Sequence, residues 1–142
     1  MKGDGDINRR VINPLEWKAL IKDFKKEYGF DLEKDLKNVN MTSYEFVKIL
    51  KDLSFDINSN PIKGNKVTSI PPISVYKMRY KDENRHIGTS NAYRLLCMMD
   101  ENSAIPFHLY HKTSGRKPKL DLTEKEKKLV KKMVEDAVAQ RR

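Results

Sequence analysis

From Ala92 the chain reads Ala92-Tyr93-Arg94-Leu95-Leu96-Cys97-Met98-Met99. After the polar stretch Asp100-Glu101-Asn102-Ser103 it continues as Ala104-Ile105-Pro106-Phe107-His108-Leu109-Tyr110-His111-Lys112. Two apolar runs of strand length around a short polar turn are the sequence form of a β-hairpin. Such strands have an apolar face to bury, and a layer of helices packed on one side of the sheet would cover it. The second run ends in His, Tyr and Lys, side chains that donate, accept or hold protons.

The flanking segments carry the periodicities such layers need. Asn13-Pro14 suits a helix start, and Trp17, Leu20, Ile21, Phe24 and Tyr28 recur at helical spacing over Leu15 to Tyr28, with Gly29 as the stop. Leu32, Leu36 and Val39 fit a short, charged helix within Phe30 to Asn40. Thr42-Ser43-Tyr44-Glu45 is a capping box opening a helix to about Leu53, with Phe46, Ile49, Leu50 and Leu53 as its apolar stripe. Asn58 to Asn65 reads as a loop. Pro71-Pro72 is expected to hold the chain extended ahead of an alternating strand, Ile73 to Lys81. Thr123-Glu124-Lys125-Glu126 is a second capping box, and a last helix with Leu129, Val130, Met133, Val134, Ala137 and Val138 on one side follows it. Arg9 to Asn13 has the composition of a short first strand, which would have to pair with a later strand at long range.

The expected fold is therefore α+β. It has a small, mainly antiparallel sheet of three or four strands, N-terminal helices packed on one face, and a C-terminal helix. Residues 1–8, rich in Gly and Asp, are expected to be disordered. Residues 9–142 are expected to form a single domain, with 9–57 mainly helical and 72–142 forming the sheet and last helix. The length of 142 residues is enough to bury a core without staples, and a single cysteine, Cys97, precludes an internal disulfide framework. No apolar run reaches membrane-span length and the first residues lack a signal-peptide core, so the expected location is the cytoplasm.

Charge is unevenly spread. Residues 1–60 hold 11 basic and 11 acidic residues, whereas residues 61–142 hold 18 basic and 9 acidic, so the net +9 lies entirely in the second part. A positive field confined to one region attracts polyanions, nucleic acid foremost. Period two places His108, Tyr110 and Lys112 on one side of the last strand, with Ile105, Phe107, Leu109 and His111 on the other. Lys77, Arg79 and Lys81 share a side of the earlier strand, and Arg94 opens the middle one. With helices on one sheet face, the other would display these cations, joined by Arg85, Arg116, Lys117 and Lys119 from loops.

Such a groove suits single-stranded RNA, with cations on phosphates and Tyr or His stacked on a base. It also suits RNA cleavage without metal, in which neighbouring cations lower the pKa of Tyr or Lys toward use as a base and Arg stabilises the phosphorane. Packing roles remain open alongside: Tyr110 fits amphipathic packing as readily, and His111 fits a capped sheet edge. His108 and His111 share a spacing seen in metal sites, but on a strand their rings face opposite ways, and no further ligands accompany them. Cys97 lies within an apolar strand with no adjacent base and reads as an inert core thiol. No cofactor motif is present: Gly-rich phosphate loop, paired carboxylates and serine triad are all missing.

Three pieces of the chain resemble the RelE/ParE superfamily of bacterial toxin–antitoxin toxins: Tyr76-Lys77-Met78-Arg79-Tyr80, the strand start Tyr93-Arg94-Leu95-Leu96, and the strand end Tyr110-His111-Lys112 followed by a polar loop and helix. The resemblance covers about Pro72 to the C-terminus. It implies a toxin that cuts mRNA at the ribosome without metal or cofactor and is neutralised by a cognate antitoxin. On that resemblance Arg79 and Arg94 contact the phosphate and its transition state, and His108, Tyr110, His111 and Lys112 supply acid–base candidates. Lys77, Lys81, Arg85, Arg116, Lys117 and Lys119 would bind the RNA. The chain is long for that family, whose gyrase-directed members lack the nuclease set. A non-catalytic inhibitor of gyrase or the ribosome on the same scaffold, and a nucleic-acid-binding domain of a phage or mobile element, are the alternatives.

Overall fold

Strand β4, Tyr93–Met99, is the centre of the fold. All of its side chains are buried except Met98, which is half-buried. In the computed structural model, which describes residues 8–13 and 23–141, β4 lies inside a five-stranded sheet of order β1-β5-β4-β3-β2. Its antiparallel neighbours are β3, Ile73–Tyr80, and β5, Ser103–His111. Strand β2, Asn65–Ile70, forms one edge, antiparallel to β3. At the other edge β1, Arg10–Val11, runs parallel to β5, with Arg10 opposite Ser103 and Val11 opposite Ala104. The sheet is thus mainly antiparallel and the fold α+β, with the long-range first strand that Arg9 to Asn13 suggested.

Two strands' worth of detail departs from the expectation. The β2 segment begins at Asn65, the last residue of the expected loop, and runs through residues given no element; it pairs with β3 so that Ile70 faces Ile73 across Pro71-Pro72. The proline pair forms the turn itself. In the β4–β5 hairpin the turn is held by Asp100, whose Oδ1 accepts from the backbone N–H of Asn102 at 2.7 Å and of Ser103 at 2.8 Å. This is the local bonding by which Asp favours turns.

Helices α1, Leu32–Asn38, and α2, Ser43–Ile57, cover one sheet face. Leu32, Leu36, Phe46, Ile49, Leu53 and Ile57 pack there on Met78, Tyr80, Leu95, Cys97 and Leu109. Helix α2 extends one turn past Leu53 because Ile57 continues the stripe and is fully buried. At its start the Thr42 hydroxyl accepts from Glu45 N–H at 3.2 Å and donates to the Glu45 carboxylate at 3.1 Å, a variant of the expected box. Helix α3, Glu124–Gln140, begins with the full capping box of Thr123 and Glu126. It does not leave the second face open. Val130, Met133 and Val134 pack on Val75, Leu96 and Phe107, and Phe24 and Phe30 join them from the segment around the π-helical turn Phe24–Tyr28. Phe24 stacks on Phe107 with ring centroids 5.4 Å apart. The rest of the helix expected over Leu15 to Tyr28 lies outside the described residues.

A β-bulge in β5 re-sorts its side chains. Leu96 lies opposite His108 and Cys97 opposite Pro106, so Phe107 is the extra residue. The simple alternation fails here: Phe107 joins His108 and Tyr110 on the α3 face, while Leu109 and His111 look toward α1 and α2. His108 and His111 still face opposite ways.

Replacing Leu53 with Ala should lower the unfolding free energy by about 2–5 kcal/mol, because it empties a fully buried site. Thr123→Ala, which removes one cap, should cost about 1 kcal/mol. Both are read from urea midpoints at constant slope.

Candidate nucleic-acid interface

Pairing register brings the predicted cations together. Arg79 lies opposite Arg94, and Arg94 opposite Tyr110, so the three side chains share one row on the α3 face. The next row joins Lys77, Leu96 and His108. Arg79 is exposed. Arg94 is 3% exposed and serves as an internal anchor. Its guanidinium donates to the carbonyls of Thr89 at 2.6 Å, Ser90 at 3.0 Å and Tyr93 at 2.9 Å, fixing the 3₁₀ turn Thr89–Asn91. Burial and the neighbouring Arg79 charge pull its pKa down. Lys112 ties the same turn, donating to the Ser90 carbonyl at 3.2 Å.

Tyr110 is 3% exposed, and its hydroxyl has no hydrogen-bond partner among the described residues. Lys119 Nζ sits 4.9 Å from the centre of its ring. The expectation that surrounding cations lower its pKa is overturned. Burial pushes the phenol up, the nearby Asp121 and Glu126 carboxylates add to this, and Arg94 opposes without prevailing. The Tyr110 hydroxyl therefore stays protonated.

His108 and His111 are held in separate internal networks. His108, 7% exposed, places Nδ1 2.8 Å from Asp35 of α1 and Nε2 3.3 Å from Glu126 of α3. Lys119 Nζ lies 3.0 Å from the same Nε2 and also donates to Glu126. Burial resists charging the ring, but the bonds to Asp35 and Glu126 outweigh it and hold its pKa above the ordinary value. Glu126 is itself pulled well below the usual range: burial resists, but His108, Lys119 and the Thr123 N–H prevail. On the opposite face His111 is fully buried. Its Nδ1 accepts from the N–H groups of Thr113 at 3.1 Å and Ser114 at 3.0 Å, and its Nε2–H donates to Asp82 at 3.0 Å. That pattern fixes the neutral tautomer, and burial shifts its pKa down.

The remaining predicted cations divide into paired and free. Lys77 bonds Asp121 at 3.2 Å, Lys81 lies 3.3 Å from Glu83, and Arg85 lies 2.7 Å from Asp82. Arg116 and Lys117 are exposed on the loop after β5. That loop is pressed against α1 at Gly115, where φ is +95° and an added Cβ would meet the Asn38 carbonyl oxygen at 2.7 Å. The adjacent Arg116 N–H donates to that same oxygen at 2.7 Å. Asp35, Asp82 and Glu126 are the partners that sequence reading passed over. Glu126 alone carried a signal, as the last member of a capping box. Buried Cys97, its thiol pushed far up in pKa, matches the reading of an inert thiol.

The His108 network predicts a pH dependence. Its folded pKa is raised, so its stabilisation is complete below about pH 6.5 and is lost as pH rises through the folded value. The stability difference between wild type and His108→Gln, from denaturant melts at pH 5.5 to 8.5, should shrink as pH rises. His111, shifted the other way, is present in both proteins and cancels. A difference that stays constant would show that the ring does not carry charge in the fold. Compared with known proteins, the chain matches no family model, no curated protein and no solved structure, so its functional reading rests on its own residues.

Proposed function

We propose that this protein is an RNA-cutting toxin: it binds single-stranded messenger RNA at the ribosome, cleaves it without metal, and is held in check by a partner antitoxin. The observation that carries this reading is the row Arg79–Arg94–Tyr110. One exposed guanidinium, one buried guanidinium and one unpartnered phenolic hydroxyl stand side by side across three strands. Arg79 is free to take a phosphate. Arg94 adds fixed positive charge and holds the turn that borders the row.

Cleavage by attack of the ribose 2′-oxygen on the adjacent phosphorus places extra negative charge on the phosphorane and then on the departing 5′-oxygen. Arg79 and Arg94 oppose that charge, water takes the 2′-hydroxyl proton and returns one to the departing 5′-oxygen, and Tyr110, kept protonated, is the hydrogen-bond donor for an oxygen of the reacting phosphate. Both imidazoles have their nitrogens engaged inside the protein, so this scheme draws on charge stabilisation more than on a dedicated base. No helix among the described residues is long and apolar enough to cross a membrane.

The same engagement of His108 and His111 favours a second reading, a non-catalytic inhibitor that binds the ribosome or gyrase through this surface. Induction in cells followed by mapping of RNA 5′ ends separates the two. The first reading expects growth arrest with new RNA ends. It further expects Arg79→Ala with Tyr110→Phe to lower cleavage by about 10²-fold or more while thermal unfolding shows an intact fold. Arrest without new ends supports the inhibitor, and undiminished cleavage in the double variant refutes the assigned row.

A further inference from the structure

A second site lies beside the row. A cleft of about 400 Å³ opens between the Gly29–Asp31 segment, α1, β5 and the start of α3. Among the described residues four lysines line it: Lys119 is already bound to Glu126, while Lys34 of α1, Lys117 of the loop after β5 and Lys125 of α3 come from three different elements. Every carboxylate on its wall is already engaged. Asp31 caps α1 at the Lys34 N–H and pairs with Lys25. Asp35 receives the Leu109 N–H and His108, and Glu126 receives Lys119, the Thr123 N–H and His108. The ammonium groups of Lys34, Lys117 and Lys125 have no acidic partner among the described residues. A concave surface with uncompensated charge of one sign concentrates counter-ions of the other. Tyr110 lines the cleft too and is the residue that the cleft shares with the row.

We propose that this cleft is a phosphate-binding subsite, in which Lys34, Lys117 and Lys125 hold a phosphate of the same nucleic-acid strand that Arg79 contacts. The proposal rests on the RNA-binding reading but not on cleavage. The triad assembles because the 112–119 loop is clamped to α1: Gly115 allows the contact, and the Arg116 N–H to Asn38 bond seals it. The engaged carboxylates and His108 form the rigid wall that keeps the lysines apart and pointing to a common space.

The test is binding of a 12-nucleotide oligouridine, followed by fluorescence anisotropy over a range of salt, to wild type and to the Lys34→Gln/Lys117→Gln/Lys125→Gln variant. All three positions are exposed, so folding is preserved and is verified by thermal unfolding. Losing one phosphate contact should flatten the slope of log affinity against log salt by about 0.7 and weaken binding about fivefold in about 0.1 M salt. An unchanged slope with an otherwise normal wild-type complex overturns the subsite and leaves the RNA reading standing. Titration of both proteins with inorganic phosphate, observed at the His108 ring protons by NMR, provides the second arm. If wild type binds no oligonucleotide but phosphate shifts those signals only when the lysines are present, the cleft is a free-phosphate site and its assignment to a strand is wrong. If neither responds, both the subsite and the RNA reading fall.

Discussion

A central strand buried on both faces governs this protein. Strand β4 is apolar on its two sides, so each side demands its own cover, and the chain supplies α1 and α2 on one and α3 with Phe24 and Phe30 on the other. The polar chemistry is thereby displaced to the end of the sheet where β3 finishes, β4 starts and β5 finishes. Arg79 meets solvent there, whereas Arg94 is turned inward and Lys77 is half-covered beside Asp121. The position of the candidate site follows from how much of the sheet must be hidden.

Within that frame β5 does the sorting. Its bulge places Phe107 with His108 on the α3 face and returns Leu109 to the other core. One strand thus meets both helical layers, and His108 joins them directly, donating from Nδ1 to Asp35 on α1 and from Nε2 toward Glu126 on α3. A buried, charge-assisted connection of this kind contributes less net stability than its Coulomb energy suggests, because desolvation opposes it. What it provides is registration. It sets where α1 and the start of α3 stand, and with them the lysines that each contributes.

Much of the architecture is written plainly in the residues. The stripe Phe46, Ile49, Leu50, Leu53 and the Thr123–Glu126 box define helices by spacing alone, and the β3, β4 and β5 strands follow from apolar runs and alternation. Strand β2 is not assigned from the residues alone, because Asn65-Lys66-Val67-Thr68-Ser69-Ile70 is a short edge strand with only two apolar residues, Val67 and Ile70, and its β-branched content alone does not mark a strand. Nor is the bulge, since an inserted residue leaves no mark on a period-two pattern. The cluster of Arg79, Arg94 and Tyr110 was visible as a shared strand side, but their environments were not. That Arg94 is spent on carbonyls, that Tyr110 is pushed up rather than down, and that His108 finds Asp35 across 73 residues are outcomes of tertiary packing. Local sequence holds no record of them.

The short first strand bears on how the chain comes together. Arg9 donates to the carbonyls of Ile57 and Asp100, the second across 91 residues, and Asn58 exchanges hydrogen bonds with the Arg9 backbone. Closing so long a loop for a two-residue strand recovers few contacts against its entropy. Such pairing forms late in folding, after the β3–β4–β5 meander, and opens early, before the core does. Each opening bares the edge of β5 at Ser103 and Ala104, where unpaired backbone groups can recruit another strand. The β1 segment is therefore a guard on the sheet: while it is paired, the β5 backbone at Ser103 and Ala104 is closed to another strand.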